Sequence, residues 1–319
     1  MRKALVIGID FYSSHAVCNL SGCVNDAYKV NSCIERHGDG SPNFGVELRA
    51  ASNESTQIDR RHLKDRVNEL FKDESEIALF YFSGHGYIEA TGGYLLTSEC
   101  QDGDEGLSMD ELLIIANESK ALNKIIVLDC CHSGAAGSPT ITSGKAVLSE
   151  GVTILTASSK DQYAMETNGS GIFTTLFVDA LNGSAANLVG DVTPGSVYAH
   201  IDQSLGPWDQ RPIFKTNVKR FISLREVQPS ISLEELRKLP LLFPAPEEVI
   251  KLDPSFEPTS DCPDNTNCEI FETLQKYNRV NLAKPVDEEH MYYAAMNSTG
   301  CRLTVLGAHY WNLAKKGRI

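Results

Sequence analysis

Short apolar runs, rich in β-branched and aromatic residues, recur along the first half of the chain. They fall at residues 5–9, 46–49, 77–82, 124–129 and 152–156. Runs of this length and composition predict buried β-strands. The stretches between them carry apolar residues at helical spacing, at residues 23–36, 58–71 and 108–115. Alternating strands and helices predict an α/β fold in which helices cover both faces of a mostly parallel sheet.

The second half of the chain has a different pattern of apolar residues and prolines. Helical spacing continues at residues 172–181 and 196–205, and a last strand is predicted at 220–224. Six of the 13 prolines then fall between residues 240 and 263, which predicts an extended, Pro-rich linker over 229–265. Apolar periodicity returns after it. We therefore expect an α/β domain over 1–228, the linker, and a small helical module with a regulatory or interaction role over 266–319.

Composition and charge narrow the classes of protein that fit. The chain has 319 residues, with 29 Lys and Arg against 42 Asp and Glu, a formal net charge of −13. An acidic surface repels phosphate backbones, so nucleic acid is not an expected partner. No apolar run approaches the roughly 20 residues that span a bilayer, so no membrane is expected either. The short apolar N-terminus and nine scattered cysteines predict a cytoplasmic protein with reduced thiols.

Two motifs place reactive side chains directly after predicted strands, where α/β sheets hold their ligands. The first is Ser83-Gly84-His85-Gly86 and the second is Asp129-Cys130-Cys131-His132-Ser133-Gly134. A nucleophilic thiol needs a base beside it, which makes Cys131 and His85 a candidate catalytic pair. Side chains two apart on a strand share a face. Asp129 and Cys131 are thus expected to point into one crevice, as are Ser83 and His85, while Cys130 points into the core.

Other interpretations of the same residues stay open. His85, Cys130, Cys131 and His132 are all metal-ligand types, although adjacent cysteines can hardly share one tetrahedral ion without distortion. The motifs are also compatible with an inert remnant of an active site. A catalytically silent scaffold that binds protein partners is therefore the alternative from another functional class.

Together the two motifs resemble the paired signature of the caspase-like cysteine peptidases, peptidase family C14, and within them the metacaspase branch found in bacteria, plants, fungi and protozoa. The resemblance implies a three-layer caspase-like fold over about residues 1–225. It also implies that Cys131 is the nucleophile and His85 the general base and acid. The backbone N–H groups of Gly86 and Cys131 would hold the oxyanion. Legumain-like and gingipain-like peptidases share part of this pattern and remain the alternative enzymes.

The segment Gly22-Cys23-Val24-Asn25-Asp26 is similar to the Gly-Cys-x-Asn-Asp segment of metacaspases. The resemblance implies that Asp26 and Asp129, with Ser83, line the pocket for the substrate residue that precedes the cleaved bond. Two carboxylates in one slot repel each other unless a cation joins them. We therefore expect cleavage of protein substrates after Arg or Lys. In the simpler alternative Asp26 only caps or pairs within its own helix, and Cys23 is a small buried residue.

Two further expectations concern activation. Many metacaspases bind calcium through acidic residues, and this chain has an acidic stretch at Glu99, Asp102, Asp104, Glu105 and Asp110. The paired Asp-Asp of those enzymes is here Met109-Asp110, so we expect neither a calcium requirement nor any cofactor. The small polar segment 135–150 contains a single basic residue, Lys145, a candidate site of autoprocessing. The resemblance also implies a role in regulated proteolysis or in stress- or defence-linked cell death, with an upstream regulatory partner bound by the tail.

Overall fold

The computed structural model describes residues 1–89, 92–101, 106–130, 147–157, 166–167, 170–206 and 211–319. The chain divides into two compact units. The first comprises residues 1–186 and 191–227, and the second comprises residues 187–190 and 228–319. Each unit has its own hydrophobic core, so each is described separately.

The first unit is built on a six-stranded sheet. Its strands are β1 (Arg2–Ile9), β2 (Gly45–Ala51), β3 (Ile77–Ser83), β7 (Asn123–Asp129), β8 (Val152–Thr156) and β12 (Ile213–Asn217). Their order is β12-β8-β7-β3-β1-β2. All neighbours run parallel except β12, which is antiparallel to β8 at one edge. The predicted α/β fold with a mostly parallel sheet is thereby confirmed.

Helices cover both faces of this sheet. They are α1 (Cys23–Ile34), α2 (Arg60–Lys72), α3 (Met109–Glu118), α4 (Ile172–Asp179) and α5 (Pro194–Ser204), and a π-helical turn (Ala180–Ser184) follows α4. The short strands are β4 (Gly86–Glu89), β5 (Gly92–Leu95), β6 (Leu107–Ser108), β9 (Glu166–Thr167), β10 (Ser170–Gly171), β11 (Asp191–Val192) and β13 (Arg225–Glu226). The predicted strand at 220–224 is wrong, because the edge strand forms earlier, where Ile213–Asn217 pairs with β8.

Alternating side chains of the central strands pack into two separate hydrophobic layers, one on each face of the sheet. Ile126, Leu128 and Cys130 pack on the face covered by α2 and α3, whereas Ile125 and Val127 pack on the face covered by α1, α4 and α5. Strand pleating sends neighbours to opposite faces. The face covered by α1, α4 and α5 is called the α1 face below.

The second unit mixes helices with a three-stranded antiparallel sheet. Its elements are α6 (Leu233–Arg237), α7 (Leu239–Leu242), β14 (Val249–Lys251), α8 (Asn265–Arg279), β15 (Ala283–Val286), α9 (Met291–Met296), β16 (Gly300–Leu303) and α10 (Val305–Lys315). The sheet order is β14-β16-β15. The expected small helical module over 266–319 therefore also contains strands, which pair with one another.

The linker predicted over 229–265 also differs from the structure. These residues form α6, α7 and β14 and supply part of the second core through Ile231, Leu236, Leu239, Phe243, Leu252 and Phe256. The prolines are compatible with folding because of where they stand. Pro240 lies in the first turn of α7 and Pro254 opens a 3-10 turn, positions that need no backbone N–H donor.

None of the described helices has the length and apolar character needed to cross a lipid bilayer.

Candidate functional site

Two buried carboxylates meet at the carboxyl end of the central sheet. Asp26 lies in the first turn of α1 and Asp129 ends β7, and their exposed fractions are only 1% and 5%. Asp26 accepts hydrogen bonds from the Ser170 hydroxyl and from the Gly171 N–H, the latter at 2.8 Å. Both of these hydrogen-bond donors lie outside α1, so Asp26 bonds beyond its own helix.

Gly171 shows how closely the two carboxylates approach each other. A Cβ atom at Gly171 would collide with the Asp129 carboxylate and would lie 3.3 Å from Oδ2 of Asp26. The Thr174 hydroxyl, one turn into α4, donates to Oδ2 of Asp129 at 2.6 Å. Ser170, Gly171 and Thr174 thus contact the two acids from one side, at the place where the resemblance puts the pocket for the substrate side chain. We call this the Asp26–Asp129 pocket.

The environment of Asp26 makes its charge costly. Burial raises the pKa of the Asp26 carboxyl above its ordinary value. The hydrogen bonds from Ser170 and Gly171 and the positive charge of Lys29 act in the opposite direction and offset part of the rise. The Lys29 ammonium is held 3.0 Å from the Ser170 hydroxyl. A second cation placed in the pocket would favour the charged carboxylate further.

Ser83 lies in the middle of this end of the sheet. It pairs in register with Asp129 on one side and Gly8 on the other, and it is 2% exposed. Pleating places it on the α1 face, where Tyr81 of the same strand bonds the Thr174 hydroxyl at 2.5 Å. Ser83 therefore lies beside Asp129 at the carboxyl end of the sheet.

Gly8 and Asp10 bring α1 into position. A Cβ atom at Gly8 would lie 2.8 Å from the Cβ of Ala27, so glycine is what permits α1 to approach β1 this closely. The Asp10 carboxylate accepts a hydrogen bond from the Cys23 N–H at 2.8 Å, at the start of α1. Cys23 itself is buried, as its structural interpretation predicts. These contacts fix the position from which Asp26 projects.

His85 occupies the same end of the sheet but is held by the opposite core layer. Its backbone N–H donates to the Tyr12 hydroxyl at 2.8 Å, and the two rings contact each other at an interplanar angle of 52°, with centroids 4.8 Å apart. Tyr12 belongs to the layer covered by α2 and α3. Strand β3 ends at Ser83, so strand pleating does not extend to His85, and the expectation that the two residues share a face stays a prediction.

A backbone carbonyl fixes the orientation of the His85 ring. Nε2 lies 2.8 Å from the carbonyl oxygen of Cys18. A carbonyl oxygen can only accept a hydrogen bond, so this contact places the ring hydrogen on Nε2. Nδ1 of the neutral ring is then left with a lone pair and can accept a proton.

A cavity of about 450 Å³ opens beside this ring. It is lined by Ala16, Val17, Cys18, His85, Gly86, Tyr87, Leu96 and Gln101. Gly86 begins β4 and pairs with Leu95. His85 is thus presented to a surface opening.

Several predicted residues lie outside the described part of the chain. Cys131, His132 and Lys145 are among them, as are Asp102, Asp104 and Glu105 of the acidic stretch. Cys130, the neighbour of Cys131, is 1% exposed and packs in the core as predicted. Within the described ranges, no group of three His, Cys, Asp or Glu side chains is arranged to hold a metal ion.

Sequence reasoning missed several residues that build the site. Tyr12 and the Cys18 carbonyl act on His85, while Ser170 and Thr174 act on the carboxylates. Tyr12 and Cys18 lie in a loop without periodicity, and a carbonyl has no sequence signature. The run from Gly171 to Thr175 could have signalled the pocket, since a glycine and hydroxyls begin a helix there.

Comparisons with known proteins agree with this architecture. The family model of the caspase domain, peptidase family C14, matches residues 1–223. No curated protein matches the chain. Protein GSU0716 from Geobacter sulfurreducens is similar in structure, with a TM-score of 0.53 and 16% identity over 72% of this chain and 100% of that one. Caspase-1 from Spodoptera frugiperda is also similar, with a TM-score of 0.51 and 12% identity over 71% and 91%.

The two structural likenesses, at these identities, establish the fold alone. The family match covers more than two thirds of the chain and includes every residue of the Asp26–Asp129 pocket as well as His85. A caspase domain is the domain of a cysteine peptidase, an enzyme that acts on proteins, and the chain belongs to this family.

Proposed function

We propose that the chain is a cysteine endopeptidase of the metacaspase branch that cleaves proteins after Arg or Lys. Cys131 is the nucleophile, His85 is the general base and acid, and the Asp26–Asp129 pocket receives the basic side chain. The observation that carries the proposal is the convergence of two buried carboxylates on Gly171, close to the end of β3 that leads to His85.

The specificity follows from electrostatics. Two like charges in a desolvated pocket raise the free energy of the empty site, and a guanidinium or ammonium group relieves that repulsion. The relief is largest when the cation also forms charge-assisted hydrogen bonds with the carboxylates. An Asp side chain would add a third negative charge to the same pocket. The site should therefore favour basic residues and reject acidic ones.

The proposed reaction uses the orientation of His85. Nδ1 accepts the proton of the Cys131 thiol, and the sulfur attacks the carbonyl carbon of the scissile bond, forming a C–S bond. The carbonyl π electrons move to oxygen, where the N–H groups of Gly86 and Cys131 stabilise the oxyanion. Collapse of this tetrahedral intermediate breaks the C–N bond, and His85 returns the proton to the leaving amine. Water, activated by His85, then hydrolyses the thioester and releases the carboxylate product and the thiol.

The decisive experiment is hydrolysis of fluorogenic peptides ending in Arg, Lys or Asp by the full chain. We expect cleavage after Arg and Lys but not after Asp, and no cleavage by Cys131→Ala. Cys262→Ala is the matched control, because it removes an exposed thiol that lies in the second unit. Parallel reactions with calcium chelated test the expectation that no metal is needed.

Two outcomes would overturn the proposal. Cleavage only after Asp would refute the role of the pocket, and full activity of Cys131→Ala would refute the nucleophile. Complete inactivity toward all peptides, with the fold intact, would instead favour the catalytically silent scaffold. Mass spectrometry of the active chain would show whether a cut after Lys145 accompanies activity.

The cellular role extends from the same proposal. A cytoplasmic peptidase of this kind would serve regulated proteolysis or stress- and defence-linked cell death. The second unit, which has its own core, would then bind a regulatory protein partner.

A further inference from the structure

A groove lined by both apolar and polar side chains lies on the first unit, between α1 and the π-helical turn after α4. It has a volume of about 400 Å³ and is lined by Tyr28, Lys29, Ser32, Cys33, Val178, Asn182 and Arg225. Lys29 joins the two sites, because its ammonium contacts the Ser170 hydroxyl that in turn bonds Asp26. We call this surface the Lys29–Arg225 groove.

Arg225 presents a fixed positive charge in the groove. Its Nε donates to the carbonyl oxygen of Arg36 at 2.9 Å, and one terminal nitrogen donates to the Leu181 carbonyl at 2.9 Å and the Asn182 amide oxygen at 2.7 Å. All three acceptors are uncharged. Leu181 and Asn182 belong to the π-helical turn after α4, a type of distortion that is frequent at functional sites. The guanidinium is thus oriented without being neutralised.

Lys29 and Arg225 also lack a carboxylate at ion-pair distance. Within the part of the chain that the structure describes, no Asp or Glu oxygen lies within 4.0 Å of either side-chain nitrogen group. Asp26, three residues before Lys29, is coupled to the Lys29 charge through the Ser170 hydroxyl, and two further acidic residues near the groove in sequence are engaged elsewhere. Asp179 lies 2.8 Å from His200, and Glu35 accepts a hydrogen bond from Asn31 at 3.1 Å. Two cations therefore line one groove on a protein whose formal charge is −13.

We propose that the Lys29–Arg225 groove binds an acidic side chain of the same peptide substrate whose basic residue enters the Asp26–Asp129 pocket. This inference rests on the proposed function. The substrate is then read at two points of opposite charge. The carboxylate of its Asp or Glu pairs with Arg225 and Lys29, and such pairing adds specificity as well as affinity.

The dimensions of α1 set the spacing between the two substrate residues. From Asp26 to Cys33 the helix advances seven residues, or about 10 Å at a rise of 1.5 Å per residue. An extended peptide covers that distance in about three residues. The acidic residue should therefore lie about three or four positions from the basic residue at the cut, on one side only.

Internally quenched peptides with a single Arg at the cleavage position test this inference. Glu, or Gln as the neutral isostere, is placed two to six positions away on either side. We expect Glu to raise kcat/KM about three- to tenfold over Gln at three or four positions on one side, the range of a partly exposed ion pair. The ratio should fall toward one as salt is raised from about 0.05 M to about 1 M, where the screening length is only about 3 Å.

Variants locate the effect on the protein. Lys29→Met should bring the Glu-to-Gln ratio close to one, and Lys29→Glu should invert it. The ratio is measured within each variant, so any change in the neighbouring pocket cancels. Lys120→Glu makes the same charge change at an exposed site after α3, on the other side of the sheet, and should leave the ratio and the basal activity unchanged.

The outcomes separate this inference from the proposed function. Efficient cleavage after Arg with equal rates for Glu and Gln peptides at every position would overturn the groove and leave the proposed function standing. A change of the ratio in Lys120→Glu as large as that in Lys29→Glu would overturn the groove as well. If no Arg peptide is cleaved, the proposed function is wrong and the inference falls with it.

Discussion

Charged side chains are buried at both ends of strand β7, and the two ends treat them differently. At the amino end, Lys124 is 4% exposed and its ammonium donates to the carbonyl oxygen of Glu150 at 2.6 Å. At the carboxyl end, Asp129 and Asp26 converge on Gly171. One end holds a single charge bonded to local backbone, and the other holds two charges of the same sign.

The difference indicates that the buried charge of Lys124 is part of the folded structure alone, whereas the two buried carboxylates are placed to bind a ligand. A lone buried ammonium with a backbone acceptor is a compensated feature, of modest net effect on stability. Two neighbouring carboxylates repel each other, and burial adds a desolvation penalty for each. A fold gains nothing from that arrangement by itself. The carboxyl end is therefore where we expect mutations to change activity, and the amino end where they change only stability.

The largest effect should come from neutralising one carboxylate. Asp26→Asn should lower kcat/KM for Arg peptides by several hundredfold, because removing one charge from a desolvated pair costs about 2 to 5 kcal/mol. Each variant is assayed with Arg peptides and with peptides of its neutral isostere citrulline, so that the loss of kcat/KM is assigned to recognition of the positive charge. Asp129→Asn should act alike. Asp65→Asn is the control, because the Asp65 side chain lies on the exposed side of α2. An unchanged preference for Arg over citrulline in both pocket variants would contradict the assignment.

A steric change at the same point should have a slightly smaller effect. Gly171→Ala puts a methyl group against the Asp129 carboxylate, and a displacement of about 1 Å in a binding site costs about a hundredfold in rate. Gly45→Ala is the matched control, since its new Cβ would meet only the Arg2 carbonyl, at 3.8 Å. Thermal unfolding of both variants separates misfolding from pocket distortion. Full activity of Gly171→Ala would argue against substrate entry beside this glycine.

The pH dependence of activity and of stability should show the effect of burying the Asp26 carboxylate. Because burial raises the pKa of Asp26, this residue is protonated at pH values above its ordinary 3.8, and kcat/KM for Arg peptides should fall up to tenfold per pH unit below the raised pKa. Stability should change in the opposite direction. The folded state binds the extra proton, so the free energy of unfolding falls as pH rises from 3.8 through the raised pKa.

Two measurements check this pair of trends. The acid limb is read from the ratio of kcat/KM for Arg and citrulline peptides against pH, in which protonation of the proposed Cys131–His85 pair cancels, and stability is read from denaturant unfolding over the same range in wild type and Asp26→Asn. The variant should lack the part of the stability change that Asp26 contributes. An acid limb of the wild type centred at or below pH 3.8 would show that the carboxylate is not desolvated in the working enzyme.

The central sheet is open to prediction because its strands are apolar on both faces. All seven residues of β3 are buried, so the pattern of side chains alone marks them. Edge strand β12 escapes the same pattern because its residues are only partly buried and carry Lys, Thr and Asn. The proline-rich region resembles a linker because prolines mark turns and first helical turns as readily as extended chain.

The site is predictable as far as it consists of side chains in a motif. Asp26, Asp129, Ser83 and His85 meet at one end of the sheet because parallel strands and the helix after β1 all bring residues to that end. The partners of these residues could not be predicted in the same way. Tyr12 and Ser170 reach the site from loops and short strands, where neither periodicity nor local sequence fixes the direction of a hydroxyl.

The smallest effect should come from the amino end of β7. Lys124→Met keeps the aliphatic length and removes a charge whose pKa is lowered, chiefly by burial. We expect the free energy of unfolding at pH 7 to change by less than about 1.5 kcal/mol, since the lost hydrogen bond and the relieved desolvation offset each other. Cleavage of Arg peptides should be unchanged.

The sign of the pH effect at Lys124 separates the two ends of the strand. A lowered pKa in the folded state means that the unfolded chain binds more protons at pH values just below 10.5. Lys124 therefore makes stability rise with pH in that window, and Lys124→Met should lose this rise, whereas Asp26 makes stability fall with pH near its own pKa. Denaturant unfolding between about pH 7 and 10 measures the difference. A large loss of activity in Lys124→Met, with stability intact, would show that buried charge at both ends of β7 serves the reaction.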